Sequence, residues 1–235
     1  AILVASRRPV GCISIRRARR CCNPFPPEAN TLTETPILQF GTSRFLQAHA
    51  DLFVSEAMKR GEALGAITVV QTTGSAERSG RLAALAAEGG FPVHIKGKKD
   101  GRVVDEIVRV NSVRRALSAL TEWDAVEKIF AGEIKLAICN TADRGYDVSQ
   151  EQQNVPDGVP ASFPGKLTKL LLARFRQSGA ALTILPAELI PKNGDRLKQI
   201  VATLSTGWGL GLDFLTWLDE KVIFSNTLVD RIVSE

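Results

Sequence analysis

Histidine is scarce in this chain, with only His49 and His94 in 235 residues, and methionine occurs once. Two histidines without a second ligand motif give no argument for a metal centre. Cysteine is sparse as well. Three of the four cysteines, Cys12, Cys21 and Cys22, fall in the first 30 residues, and the body holds Cys139 alone. Adjacent Cys21 and Cys22 with one distant partner make neither a zinc pattern nor an extracellular disulfide framework. Cys139 closes the apolar run Leu136-Ala137-Ile138 and reads as a small buried hydrophobe. No apolar run approaches the roughly 20 residues that a membrane helix requires. There is no internal repeat. Trp123, Trp208 and Trp217 are too scattered to form a platform for stacked bases.

The excess of positive charge is confined to one end. The chain has 30 basic and 25 acidic residues, a net charge of +5. Residues 1–30 hold Arg7, Arg8, Arg16, Arg17, Arg19 and Arg20 against the single acid Glu28, which accounts for the whole excess. The remainder carries 24 charges of each sign and is formally neutral. An arginine-rich, acid-poor leader suits a targeting peptide, a nucleic-acid arm or an unstructured extension. Its arginines have no interleaved aromatics and form no helical stripe, and Pro24, Pro26 and Pro27 separate it from the rest of the chain. We therefore read 1–30 as a basic, disordered leader and 31–235 as one domain, long enough for a substantial core. The expected location is cytoplasmic, with no membrane and no nucleic acid as partner.

The body alternates two periodicities. Apolar or β-branched runs at 37–40, 66–71, 134–139, 181–185 and 222–224 read as strands. Helical patterns occupy 43–60, 76–88, 112–121, 124–132, 165–178, 195–205 and 212–220. Segments 91–96 and 102–110 flank Lys98-Lys99-Asp100-Gly101 and read as a hairpin. Strands alternating with helices predict an α/β fold: a Rossmann-like, doubly wound, mainly parallel sheet with helices on both faces.

The most informative stretch is Ile37-Leu38-Gln39-Phe40-Gly41-Thr42-Ser43-Arg44-Phe45-Leu46-Gln47-Ala48-His49. A strand that feeds a helix through a glycine turn aims backbone N–H groups from a positive helix end at one point, a ready site for a pyrophosphate. The usual fingerprint has three glycines; here Gly41 stands alone and Ser43 holds the second position. A Cβ at Ser43 would crowd a close phosphate, although its hydroxyl could donate to one.

Four motifs in order resemble the mannitol dehydrogenase family of long-chain polyol and hexuronate oxidoreductases. Gly41, Phe45, Ala48 and His49 match its Gly-x-Gly-x-Phe-x-x-Ala-His opening. Asn140-Thr141-Ala142-Asp143-Arg144-Gly145 is similar to its Asn-Thr-Thr-Glu-x-Gly segment. Pro186-Ala187-Glu188-Leu189-Ile190-Pro191-Lys192-Asn193-Gly194-Asp195 resembles the Cys-Glu-Leu-Ile-x-x-Asn-Gly-Asp run of the tagaturonate reductase and altronate oxidoreductase branch. Phe224 to Val233 is similar to Phe-Pro-Asn-Thr-Met-Val-Asp-Arg-Ile-Val.

The resemblance implies a nicotinamide cofactor on Phe40, Gly41, Thr42, Ser43, Arg44, Phe45, Gln71, Asn140 and Thr141. It implies Asp143, Glu188, Asn193 and Asp230 on the substrate side, a sugar alcohol or sugar acid as substrate, and no metal. It favours NAD. NADP stays open, because the second strand ends Gln71-Thr72-Thr73 without an acid and Arg78 could meet a 2′-phosphate. His49 reads as a packed helix histidine, and His94 has no evident partner.

Family members continue into a helical domain that supplies the general base. The chain begins with Ala1 and ends at Glu235. The expectation is thus a truncated, poorly active cofactor domain with no catalytic residue of its own and with apolar surface where a second domain docks. Two other classes stay open: a non-catalytic dinucleotide-binding or interaction module, and nucleic-acid binding through the leader.

Overall fold

The computed structural model describes residues 2–4, 35–74, 76–132, 134–141, 145–229 and 232–234. In chain order the elements are β1 (Ile2–Val4), β2 (Ile37–Phe40) and α1 (Arg44–Leu46), which runs through a π turn at Gln47–Asp51 into α2 (Leu52–Lys59). Then come β3 (Ile67–Gln71), α3 (Ala76–Leu85), β4 (Phe91–Lys99), β5 (Arg102–Val110), β6 (Val113–Ser118), α4 (Trp123–Gly132) and β7 (Leu136–Cys139). The chain continues with α5 (Phe163–Gln177), β8 (Leu182–Pro186), α6 (Asn193–Gly207), α7 (Leu212–Lys221), β9 (Val222–Phe224) and β10 (Ile232–Ser234).

Six strands form a parallel sheet in the order β6-β3-β2-β7-β8-β9. From β2 the chain winds outward through β3 to β6. It then returns to β7 on the other side of β2 and winds the opposite way. The reversal between β2 and β7 is a topological switch point, where open α/β sheets bind ligands outside their strand ends. This is the doubly wound fold that the sequence predicts.

Both sheet faces are buried, as the near-continuous apolar strands require. Leu38, Phe40, Val70, Ala137, Cys139 and Ile184 point into one core with residues of α4, α5, α6 and α7. Ile37, Ile67, Val69, Val113 and Ile138 face the other, packed against Leu46, Leu52, Leu85 and the base of the β4–β5 hairpin. Alternate residues of one strand thus serve opposite cores, the period-2 rule at work.

Segment 112–121 overturns an expectation. Its Arg-Arg-Ala-Leu-Ser-Ala composition predicts a helix, but Val113–Ser118 is a strand paired in parallel with β3. Pairing with the open edge of β3 and burial of Val113, Leu117 and Ala119 override the local propensity.

A smaller sheet, β10-β1-β4-β5, stands beside the main one. Its hairpin closes through Asp100 and Gly101, with φ of 50° and 80°, the left-handed pair that a tight two-residue turn needs. His94 does have a partner: its Nε2 lies 2.5 Å from Oδ1 of Asp105 on the facing strand. Apart from β1, the arginine-rich leader lies outside the described residues. Among the described residues no helix is long and apolar enough to cross a membrane.

Candidate functional site

The sheet opens at the carboxyl ends of β2, β3 and β7 into a crevice of about 200 Å³. Gly41, Thr42, Ser43, Gln71, Thr72, Thr73, Arg81, Asn140 and Thr141 line it. The crevice sits at the switch point.

Gly41 is needed for two reasons. Its φ is +113°, a conformation that side chains resist. A Cβ there would also lie 2.7 Å from the carbonyl oxygen of Asn140. The glycine therefore lets the β2 turn close against the exit of β7, and its N–H donates to Val70 O at 2.9 Å.

Ser43 comes two residues later with φ −67° and ψ 149°, an ordinary extended conformation that tolerates a side chain. Its Oγ caps the helix by accepting from Leu46 N at 3.2 Å and donates to Asn140 Oδ1 at 3.1 Å. Asn140 Nδ2 donates in turn to Ala187 O at 2.6 Å. The hydroxyl hydrogen is engaged within the protein. What remains for an anion is the backbone. Leu46 N and Gln47 N bond back to Ser43, so the amides before them precede the first intrahelical bond. They open a helical stretch that runs from residue 44 to residue 59.

At the other end, Gln71 is buried and its Nε2 donates to Thr73 O at 2.6 Å. Its Oε1 is enclosed without a hydrogen-bond partner among the described residues. An enclosed lone acceptor beside a polar crevice is a place for a ligand hydroxyl or amine.

These features fit a dinucleotide: a close-approach glycine, a helix opening onto the strand end, an orphaned acceptor and a switch-point crevice. A family model described as the mannitol dehydrogenase Rossmann domain matches residues 35–235. The chain belongs to this family. Among relatives of this Rossmann domain, an altronate oxidoreductase of Bacillus subtilis is 33% identical over 202 residues, covering 84% of this chain and 41% of that protein. An altronate oxidoreductase of Bacteroides thetaiotaomicron is 32% identical over 205 residues, again 84% of this chain and 41% of that protein. The chain thus spans about two fifths of the length of the curated relatives it matches. A mannitol 2-dehydrogenase of Pseudomonas fluorescens, solved as a ternary complex with NAD and D-mannitol, superimposes with a TM-score of 0.71 at 20% identity, over 86% of this chain and 43% of that one. A substrate-free D-sorbitol dehydrogenase gives a TM-score of 0.67 at 19% identity, over 81% of this chain and 41% of that one. At these identities the structural likeness speaks for the fold.

Six of the expected cofactor residues line the crevice of the Rossmann domain: Gly41, Thr42, Ser43, Gln71, Asn140 and Thr141. The side chains of three others are placed elsewhere. Phe40 is 1% exposed and packs on Phe130 and Phe163, because strand alternation turns it into the core with Leu38. Phe45 stacks on His49 at 5.0 Å, and His49 packs in turn on Phe53 at 4.8 Å. Arg44 is exposed and is not among the crevice residues. Sequence reasoning missed Arg81. It weighed Arg78, one helical turn earlier, whose side chain lies outside the described part.

Of the residues expected on the substrate side, Glu188 is buried, and its Oε1 accepts from both the N–H and the Oγ1 of Thr141, at 2.6 and 3.0 Å. It fixes a crevice residue from beneath. Burial, with the Glu188 carboxylate second, pushes the Cys139 thiol well up, so that cysteine is a packed hydrophobe rather than a nucleophile. Asn193 is fully buried. Its Nδ2 reaches Pro186 O, Glu188 O and Thr227 O, while its Oδ1 accepts from Gly194 N and Thr227 N. It staples the exits of β8 and β9 to the start of α6. Asp143 and Asp230 lie outside the described residues. Among the described residues no cluster of histidine, cysteine or acid could hold a metal ion.

Proposed function

We propose that this chain is the cofactor-holding domain of a nicotinamide-dinucleotide-dependent oxidoreductase that interconverts a sugar acid of the altronate type, or a related polyol, and its keto form. The observation that carries this reading is the crevice at the β2–β7 switch point, closed by Gly41 and opened toward the first amides of a helix. The names of the curated relatives support the sugar-acid substrate. The bound cofactor would supply hydride transfer. Within the chain, the turn at 41–45 would hold the pyrophosphate through backbone N–H groups. Asn140 and Thr141, braced by Ser43 and Glu188, would border the nicotinamide. Gln71 would accept from the adenosine ribose.

These residues bind and orient. Proton transfer needs a group with a suitable pKa within reach of the substrate hydroxyl. No described residue lining the crevice is a lysine, histidine or carboxylic acid. The 235 residues alone should therefore bind cofactor and turn over slowly. The test is a fluorescence titration with NADH and NADPH, then assays with altronate, mannonate and mannitol. Saturable binding with little turnover supports the reading. Absence of binding refutes it, and rapid turnover would expose a base within this chain.

A further inference from the structure

Resting on the dinucleotide reading above, we propose that Gln39 and Gln47 are positioning residues for the turn at 41–43: each side chain holds back one carbonyl oxygen of the turn and thereby aims the next backbone N–H at the bound diphosphate. A glycine that lets the backbone come close also leaves its peptide plane poorly determined, because it lacks the Cβ that restricts rotation. Gly41, at φ +113°, is such a residue. If the plane between Gly41 and Thr42 turned over, a carbonyl oxygen rather than an N–H would meet the phosphate, and the contact would repel.

Two side chains fix the planes. Gln39 is 0% exposed on β2, and its Nε2 donates to Gly41 O at 3.3 Å. Gln47, on the π turn, donates from Nε2 to Thr42 O at 3.3 Å. A trans peptide sets its N–H opposite its C=O, and the described residues contain no cis bond. With Gly41 O drawn toward Gln39, the Thr42 N–H points away from Gln39. With Thr42 O drawn toward Gln47, the Ser43 N–H points away from Gln47. Both Thr42 and Ser43 line the crevice. At its other end Gln71, 4% exposed, keeps an Oε1 without a donor among the described residues, which marks the space as a ligand's. Neither Gln39 nor Gln47 is among the lining residues, so both act through the backbone.

The experiment is amide-resolved NMR of the full chain titrated with inorganic pyrophosphate and, separately, with adenosine, together with NADH binding by fluorescence. The measurements are repeated on Gln39→Met and Gln47→Met, which keep the length of the side chain and lose its donors, and on Gln47→Lys, which restores a donor. Circular dichroism confirms folding, and Gln47 is only partly buried, so its variants carry the test should Gln39→Met fail to fold. In the wild type, pyrophosphate should shift the Thr42 and Ser43 amides, and adenosine those of Thr72 and Thr73. In each Met variant the affinity for pyrophosphate and NADH should fall about tenfold, the scale of one hydrogen bond to a charged group. The Thr42 response should vanish in Gln39→Met and the Ser43 response in Gln47→Met, with adenosine affinity unchanged, and Gln47→Lys should recover the Ser43 response. Met variants that bind pyrophosphate as the wild type does, with both amide responses intact, overturn the inference and leave the dinucleotide reading standing. An equal loss for pyrophosphate and adenosine reduces the glutamines to general support and overturns it as well. A wild type that binds neither NADH nor pyrophosphate overturns the dinucleotide reading itself.

Discussion

Asp51 offers the sharpest test of the packing. It is 0% exposed, on the π turn between α1 and α2, and neither carboxyl oxygen has a hydrogen-bond partner among the described residues. Its backbone is held separately, by Ser112 Oγ donating to Asp51 O at 2.7 Å. Burial raises the pKa from 3.8 to about 8, and the neighbouring Gln39 amide offsets only part of the rise. At neutral pH the carboxyl is therefore mostly protonated. Gln39 Oε1 is likewise buried and without a hydrogen-bond partner among the described residues.

The folded state holds this proton more tightly than the unfolded chain does. The associated stability is complete below about pH 4 and is lost as the pH rises through about 8. An interval from 3.8 to about 8, at about 1.4 kcal/mol per pKa unit, corresponds to about 6 kcal/mol, of which about 4 kcal/mol disappears between pH 4 and pH 7. Asp51→Asn keeps the shape and removes the titration. Urea unfolding of both proteins from pH 4 to pH 8 isolates the term as a difference, cancelling every other titrating group. The variant should match the wild type near pH 4 and exceed it by about 4 kcal/mol at pH 7. A difference that stays flat across this range would refute the claim that Asp51 folds as a neutral acid.

Three further outcomes are expected from the site and its frame. Gly41→Ala forces a Cβ to 2.7 Å from Asn140 O at φ +113°; it should cost about 2–4 kcal/mol by chemical denaturation and remove NADH and NADPH binding from the fraction that stays folded. Ser43→Ala removes the cap on Leu46 N and the tie to Asn140; it should lower the unfolding free energy by about 1 kcal/mol and weaken dinucleotide binding by freeing the Asn140 amide. Arg174 is 2% exposed and gives its guanidinium to the carbonyls of Phe130, Ile134, Ala180 and Ala181, so Arg174→Met takes the donor from four carbonyls, those of Phe130 and Ile134 in buried bonds. It should cost at least about 3 kcal/mol in urea, and an unchanged midpoint would show that water replaces the clip.

The sequence discloses position along the chain and conceals the direction in which a side chain points. Five strands of the main sheet were legible because both faces are buried and their apolar runs are bounded by glycines or by charged and polar turns. β6 was not, since Val113 to Ala119 carries helix formers, and only the open edge of β3 makes it a strand. The crevice obeys the same division. Gly41, Ser43, Gln71, Asn140 and Thr141 lie at strand ends, where any outward residue meets the crevice, so position alone was enough. Phe40 precedes them by one residue, and the pleat sends it into the core. Arg78 and Arg81 are separated by a helical turn, and no periodicity argument sets how far α3 extends beside the crevice. The His94–Asp105 contact had a signal that could have been read. An Asp100-Gly101 turn of two residues places His94 opposite Ile107 and makes Asp105 its diagonal neighbour. Asp51 had none, because a carboxyl on an amphipathic helix is ordinarily assigned to solvent. It lies on the π turn at Gln47–Asp51, a shift of helical phase that no apolar period discloses, and it meets Gln39 of β2.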